Sequence, residues 1–540
     1  MSPTKKPPGS KSAEFTANLN NQLDALAQVR ALEQKVVDLS SRQKGRFHDA
    51  GKLLPRERVD QLIDPGSAFL ALSPLAGRGI DEDDGEEFVT GGGLIAGIGQ
   101  VSGVRVMVLA NDSAIKGGTM GWAGALKHIR AQEIALKQKL PVVNLVESGG
   151  GNLMLTHKTH AVLGGKRFAG QARLAAAGIP QITIVHGNAT AGGAYAPGMS
   201  DRVILVRNQS RMYLAGPPLL KMATGEIAGD EELGGADMHA RVAGSAEWIA
   251  DSDEHALAIA REVVANLNWK SGTEEIDIGE KRPRLKDHDD IMGLVPLDYR
   301  TPYDVRDIIA CLTDGSEFFE FKEAYDPYTI CGQGAVEGCL CGFIGNNGPI
   351  TAKGAQKSAQ FIQLCDQSGI PLVFLQNTTG FIVGKAAEEE GIIKHGAKLI
   401  QAVTNARVPR ITFMIGASFG AGNYAMCGRG YDPDFLFAWP GHRIAVMGGD
   451  QAAGVLEIVA RAGAERRGQD VDDEAMASKR DEILDHYDQT SSAFYSTSQL
   501  WDDGIIDPRD TRRVLSICLK VTNGARHRTL NSSTFGAARF

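Results

Sequence analysis

The chain has 540 residues, 43% hydrophobic and 23% charged, with a formal net charge of -8. That length exceeds a single core and calls for two or more globular domains, while the negative balance argues against nucleic acid. The seven cysteines lie between Cys311 and Cys518 without paired zinc spacing, which reads as reduced thiols in a cytoplasmic protein with no metal in this chain.

Residues 1–12 lack an apolar core and are rich in Pro, Gly, Ser and Lys. They read as a disordered tail, not a secretory signal, and no later run is apolar enough for a membrane span. Leu19, Leu23, Leu26, Leu32, Val36 and Leu39 recur at helical spacing. They predict a long helix or helix pair over 13–46, packing on the first domain. Leu53-Leu54-Pro55-Arg56-Glu57-Arg58 leads into a short helix ended by Pro65-Gly66. The acidic stretch 81–87 reads as a surface loop. Residues 97–103 superficially resemble a dinucleotide fingerprint, but the last glycine is misplaced and strand-like sequence follows, so 91–110 reads as a hairpin.

Lys116-Gly117-Gly118-Thr119 precedes a predicted helix. A strand over 142–146 ends in Glu147-Ser148-Gly149-Gly150-Gly151-Asn152. Ser148 lacks a G-x-S-x-G elbow and reads as a turn serine. His157 and His160 have helical spacing for a metal, but no third ligand accompanies them.

At Ile182-Thr183-Ile184-Val185 a β-branched run predicts a buried strand that ends at Gly187. Thr190-Ala191-Gly192-Gly193-Ala194 then opens a helix-compatible segment. Such a turn offers backbone N–H groups to a phosphate or to an oxygen that gains negative charge. His186 sits just before it, as a pocket residue or a hydrogen-bonded structural histidine. The pattern recurs over 411–426. A shift of 229 carries Ala191-Gly192-Gly193 onto Gly420-Ala421-Gly422 and Pro180 onto Pro409, and a shift of 230 carries Pro141 onto Pro371. A near-constant offset across several features indicates a duplicated domain.

The polar stretch 270–290 reads as a linker, and Gly293-Leu294-Val295-Pro296 opens the second domain. There, Gly345-Asn346-Asn347-Gly348, a helix to Ser368, a strand over 372–375 and Asn377-Thr378-Thr379-Gly380 repeat the earlier order. Alternating strands and helices indicate α/β domains. The expected organisation is a tail with helices over 1–45, a first domain over 46–285 and a second over 286–540.

Several motifs, in order, give the chain a wider likeness. They are Gly51-Lys52-Leu53-Leu54-Pro55-Arg56-Glu57-Arg58, Ser148-Gly149-Gly150-Gly151-Asn152-Leu153, Thr190-Ala191-Gly192-Gly193-Ala194-Tyr195, Pro302-Tyr303-Asp304-Val305-Arg306 and Phe419-Gly420-Ala421-Gly422-Asn423-Tyr424-Ala425-Met426. With these the chain resembles the carboxyltransferase (β) subunit of biotin-dependent acyl-CoA carboxylases over most of 45–510. The resemblance implies two tandem crotonase-like (ClpP/crotonase) α/β domains after an N-terminal helical segment. It implies a homo-hexamer core within a larger hetero-oligomer, each active site shared between the first domain of one subunit and the second of another. The chain carries no Met-Lys-Met biotinylation motif and no ATP-binding half. A biotin carboxylase/biotin carrier α subunit is therefore the implied partner, and biotin on that subunit the implied cofactor.

The implied chemistry uses two oxyanion holes and no protein base. By resemblance, Gly192 and Gly193 would hold the thioester oxygen, and Ala421 and Gly422 the ureido oxygen of biotin. Lys116, Gly149, Gly150 and Ala191 would contact the acyl-CoA. Ser148-Gly149-Gly150-Gly151-Asn152 and Trp501-Asp502-Asp503-Gly504 resemble the methylcrotonyl- and geranyl-CoA branch, whose members carboxylate a γ-carbon. Arg167-Phe168-Ala169-Gly170-Gln171 occupies a segment where methylcrotonyl enzymes carry bulky aromatics and an Asn before the Gln, and here Phe168, a further substrate-binding candidate, is followed by the small Ala169 and Gly170. That points to a longer acyl tail, most like geranyl-CoA. The alternatives are 3-methylcrotonyl-CoA and, more distantly, another acyl-CoA carboxylase or decarboxylase subunit.

Overall fold

The structure, a computed structural model, describes residues 12–80, 90–149, 156–269, 282–287, 289–296, 298–466 and 472–532, the side chains of 156–161 excepted. The acidic stretch 81–87, Gly150, and the side chains of His157 and His160 fall outside this description. Two compact units result. One comprises Arg30–Ile276, Ser498–Leu500 and Lys520–Phe540; the other comprises Met1–Val29, Asp277–Thr497 and Trp501–Leu519.

The first unit follows its sequence pattern closely. Helices α1 (Ala13–Ser41), α2 (Lys44–Asp49) and α3 (Pro55–Leu62) precede the sheet. Pro55 sits in the first turn of α3, where a missing N–H breaks no helix hydrogen bond. The strands are β1 (Leu70–Ala71), β2 (Leu94–Val101), β3 (Val104–Asn111), β4 (Val142–Ser148), β5 (Gln181–Thr190), β6 (Arg202–Val206), β7 (Arg211–Tyr213) and β8 (Trp248–Ala250). They form a sheet of order β1-β2-β3-β4-β5-β6-β8, with β7 beside β5. β2 and β3 form the expected antiparallel hairpin, turning at Ser102 and Gly103, both at positive φ. From β3 onward pairing is parallel, with α4 (Trp122–Lys137) and α5 (Thr156–Ala176) as crossovers. β4 and β5 are almost wholly buried, as strands covered on both faces must be, so they read as continuous apolar runs.

The second unit repeats this plan. Its strands are β9 (Phe319–Glu320), β10 (Thr329–Val336), β11 (Cys339–Asn346), β12 (Leu372–Thr378), β13 (Arg410–Phe419), β14 (Phe435–Ala438) and β15 (Arg443–Ala445). Their order is β14-β13-β12-β11-β10-β9, with β15 beside β13. The duplication reaches the register. Val142 pairs with Gln181 and Leu372 with Arg410, and the ladder slips after Val146 in one sheet and after Gln376 in the other.

Two features depart from the sequence reading. α1 is one helix of 29 residues. Its apolar stripe reads in the sequence as packing on the first domain, but its first half packs within the second unit. There Phe15 lies against Gly293, and the Asn18 and Gln22 carboxamides donate to the carbonyls of Gly293 and Val295 at 3.2 and 3.0 Å. Helical spacing identifies a buried stripe but not what covers it. The chain's C-terminal end also rejoins the first unit. The Lys139 ammonium donates to the Arg528 carbonyl, and the Arg528 guanidinium lies 4.5 Å from the Trp269 ring centroid.

Candidate active site

β5 does not end at Gly187, as the sequence suggested, but runs to Thr190. Gly187 is small because the Glu147 carboxylate lies against it: a Cβ there would stand 2.4 Å from Oε1. Its counterpart Gly416 abuts Asn377, with a Cβ position 2.3 Å from Oδ1. Each glycine thus admits a polar side chain from the neighbouring strand, just before the ladder slips.

Ala191 to Ala194 form a tight helical turn leading into Tyr195–Gly198. Ala191 has φ 52°, as does Gly420 at the duplicated position. An alanine held there is strained, and that strain fixes the direction in which the turn leaves the strand. Gly192 and Gly193 have room for a Cβ at ordinary contact distance. A Cβ on Gly192 would make ordinary contact with the Phe168 ring edge at 3.6 Å, and one on Gly193 would meet Ser148 at 3.7 Å.

The turns after β3, β4 and β5 carry Lys116, Gly149, Ala191, Gly192 and Gly193, while Gly150 lies outside the described residues. The Ser148 hydroxyl donates to the Gly118 carbonyl at 2.7 Å, which is a turn-building role, and the Gly149 N–H donates to the Gly117 carbonyl at 3.1 Å. Gly118, at φ 69°, needs its missing side chain: a Cβ would lie 2.3 Å from the Glu147 carbonyl oxygen. Lys116 is exposed at the start of this turn, at φ 47°.

Beside these turns, between α4, α5 and the strand ends, lies a cavity of about 220 Å³. Leu94, Leu109, Met120, Val146, Leu163 and Phe168 supply its apolar wall, and Gly192, Gly193 and Ser148 border it. Asn111, His128, Asn144 and Arg167 supply polar wall. Burial, and then the charge of Arg167, hold His128 well below the usual histidine range, so it is a neutral and weak base. Ala169 and Gly170 do not line this cavity. Gly170 faces α4, where a Cβ would stand 2.3 Å from Gln132 Oε1, so its smallness lets the two helices approach. The glycine of α5 that does line the cavity is Gly164, with no atom within 4 Å of its Cβ position.

Sequence reading missed the ionic network behind the site. Glu147 accepts from Lys52 Nζ at 2.6 Å, Arg58 Nη1 at 2.7 Å and the Ser113 hydroxyl at 2.9 Å. Arg58 Nε donates to Asp253 at 2.9 Å, Leu53 N–H to the same carboxylate at 2.9 Å, and His186 Nδ1 lies 2.7 Å from its other oxygen. Burial alone would raise both carboxyls. The cationic partners and hydrogen bonds outweigh it, holding Glu147 below its usual range and Asp253 well below. His186 is therefore a buried structural residue kept neutral by desolvation. The Gly51 to Arg58 motif is legible in hindsight as the clamp on the end of β4, and Glu147 next to Ser148 was its signal.

In the second unit β13 ends at Phe419 and the helix Gly420–Ala425 follows directly. Its opening N–H groups, including those of Ala421 and Gly422, have no acceptor within the helix. Gly422 is packed against backbone: a Cβ would lie 2.8 Å from the Thr378 methyl and 2.9 Å from Gly380 Cα. Buried polar groups hold this turn. Asn423 donates to the Ser418 hydroxyl at 2.8 Å, which donates to Gln376 at 2.6 Å, whose Nε2 donates to the Met426 carbonyl at 2.8 Å.

Two duplicated strand–turn–helix turns, the first beside a cavity with apolar and polar walls, mark a duplicated α/β protein with a ligand-sized site at its first turn. Residues 46–535 match the carboxyl transferase domain family, and the chain belongs to it. It is 45% identical to the mitochondrial methylcrotonoyl-CoA carboxylase beta chain of Dictyostelium discoideum, covering 94% of this chain and 86% of that one. It is 44% identical to the biotin-dependent 3-methylcrotonyl-coenzyme A carboxylase beta1 subunit of Mycobacterium tuberculosis, covering 97% and 96%. The crystal structure of the geranyl-CoA carboxylase beta subunit of P. aeruginosa superposes with a TM-score of 0.92, at 49% identity and full coverage of both chains. The chain is thus a carboxyltransferase of the methylcrotonyl-CoA/geranyl-CoA carboxylase type, and its two α/β units have the crotonase-like fold.

Proposed function

We propose that this chain is the β subunit of a biotin-dependent carboxylase that carboxylates the γ-carbon of a long, branched 2-enoyl-CoA, geranyl-CoA above all. The observation that carries this reading is the full-length likeness to a geranyl-CoA carboxylase beta subunit at 49% identity. The open wall of the cavity at Gly164 supports it.

In this reading, Gly192 and Gly193 N–H groups hold the thioester oxygen, which takes up charge when the γ-proton leaves, because the conjugated double bond carries that charge to it. Ala421 and Gly422 N–H groups hold the ureido oxygen of biotin. First-turn N–H groups, which have no acceptor within the helix, and the close approach at Gly422 fit a flat polar group there. Carboxybiotin, when bound, supplies the CO2 and the base. The neutral, weakly basic His128 is consistent with a site that delegates proton removal. Biotin arrives on a biotin carboxylase/biotin carrier α subunit, and this chain forms the hexameric core of the assembly. Gly149 and Ala191 shape the thioester end of the site, and Phe168 packs the acyl chain.

The test is kcat/KM for geranyl-CoA and 3-methylcrotonyl-CoA with the biotin-carrying partner present. Geranyl-CoA should be preferred, since each further buried CH2 contributes about 0.8 kcal/mol before the tail's ordering is subtracted. A preference for 3-methylcrotonyl-CoA overturns the acyl assignment. Gly164→Phe refills the open wall without meeting a neighbour at Cβ. It should lower kcat/KM for the long thioester by about tenfold or more while sparing the short one. Equal loss on both would remove Gly164 from the tail's path.

Lys116 is placed here as a partner for a CoA phosphate. Lys116→Glu should raise KM for acyl-CoA several-fold with little change in kcat, as expected for a group that binds ground state and transition state alike. An unchanged KM at low salt returns Lys116 to the ordinary surface.

A further inference from the structure

The cavity that would hold the acyl chain contains a charge that a hydrocarbon does not require. Arg167 extends from α5 into its wall. Its Nε is shielded from solvent without a hydrogen-bond partner, and the guanidinium forms no ion pair among the described residues. The Phe168 ring centroid lies 5.7 Å from its central carbon. Burial lowers its pKa to about 10, so it remains cationic at neutral pH. A guanidinium half-removed from water without an anion is costly, and a carboxylate in bidentate contact is its best-matched partner.

Carboxyl transfer supplies such a group. The reaction turns an uncharged acyl chain into one that bears a carboxylate, and the cavity must accommodate both. We propose that Arg167 receives the carboxylate that the reaction installs, so that the site holds the carboxylated thioester more tightly than its precursor. Arg167 is then a specificity residue for the reaction's charged end. This inference rests on the carboxyltransferase reading and not on which acyl chain is used.

The test measures dissociation constants by calorimetry on the assembled enzyme without ATP or bicarbonate. Two pairs of probes are used: 3-methylcrotonyl-CoA with its γ-carboxylated form, and geranyl-CoA with its γ-carboxylated form. Arg167→Met should weaken the carboxylated member by about 10- to 100-fold and leave the uncarboxylated member unchanged. That unchanged affinity also shows the variant is folded. Arg167→Lys keeps the charge but not the planar fork, so it should lose only part of the same selectivity and serves if the Met variant does not fold. Equal weakening of both members, or of neither, overturns the proposal. If the enzyme rejects the geranyl pair altogether, the acyl assignment fails while the shorter pair still reports on Arg167.

Discussion

Gly193→Val should abolish carboxyl transfer while leaving the protein folded and assembled. Gly193 is not at positive φ, and its Cβ position lies 3.7 Å from the nearest atom, in ordinary contact with Ser148. The substitution therefore adds a branched side chain toward the cavity without forcing backbone against backbone. In the proposed mechanism that side chain occupies the place of the thioester oxygen and displaces it from its donors. Losing a single such donor lowers kcat by roughly 10²- to 10³-fold, about 2.7–4 kcal/mol of transition-state stabilisation. Blocking the position should cost at least that much. The measurement is acyl-CoA-dependent turnover together with the assembly's size and melting temperature. Near wild-type turnover in an intact assembly would dismiss Gly193 from the hole. The same experiment at Gly422 would be less clean, because a Cβ there collides with Gly380 and Thr378, and loss of activity would not separate chemistry from folding.

The contrast between Gly193 and Gly422 shows where sequence reading reached its limit. The offset of 229 exposed the duplication, and the structure reproduces it in register, ladder slip and the φ of 52° at Ala191 and Gly420. Those features are local, and glycine spacing records local backbone directly. What each missing side chain makes room for is not local. Gly187 clears Glu147, Gly170 clears Gln132, and Gly192 meets only the Phe168 ring edge at ordinary contact distance, yet all three read alike in sequence. Gly170 reads as acyl room in the sequence, whereas in the structure it is the Gln132 side chain of α4 that lies against it, a neighbour that local spacing does not reveal. Arg58 and Glu147 are 89 residues apart, so nothing in periodicity or spacing brought the clamp and the site into one argument.

Arg58→Met should be among the most destabilising single substitutions in the first unit. The Arg58 side chain is 1% exposed and spans two carboxylates, at 2.7 Å from Glu147 and 2.9 Å from Asp253. Methionine fills much of its volume, so the loss is chiefly electrostatic. Asp253 keeps His186 and the Leu53 N–H, whereas Glu147 keeps Lys52 and Ser113. Neither set replaces the bridging charge, and breaking one partner from a buried pair typically removes about 3–5 kcal/mol. Against a total stability of about 5–15 kcal/mol this is a large fraction. The pH dependence has a definite sign. Both carboxyls have folded pKa values below their unfolded ones, so the network's contribution is full above the usual carboxylate range and is lost as pH falls through the depressed values. His186, lowered by burial, adds in the same direction, because the unfolded chain takes up its proton first as pH falls. Arg58→Met should therefore unfold at a higher pH and a lower denaturant concentration than wild type. Adding Glu147→Gln removes one stranded charge and should recover part of the loss, a coupling that independent sites would not show. A denaturant midpoint for Arg58→Met equal to wild type, or strict additivity in the double variant, would mean that the clamp contributes nothing to holding the Glu147–Ser148 end of β4 against the turn at Ala191–Ala194.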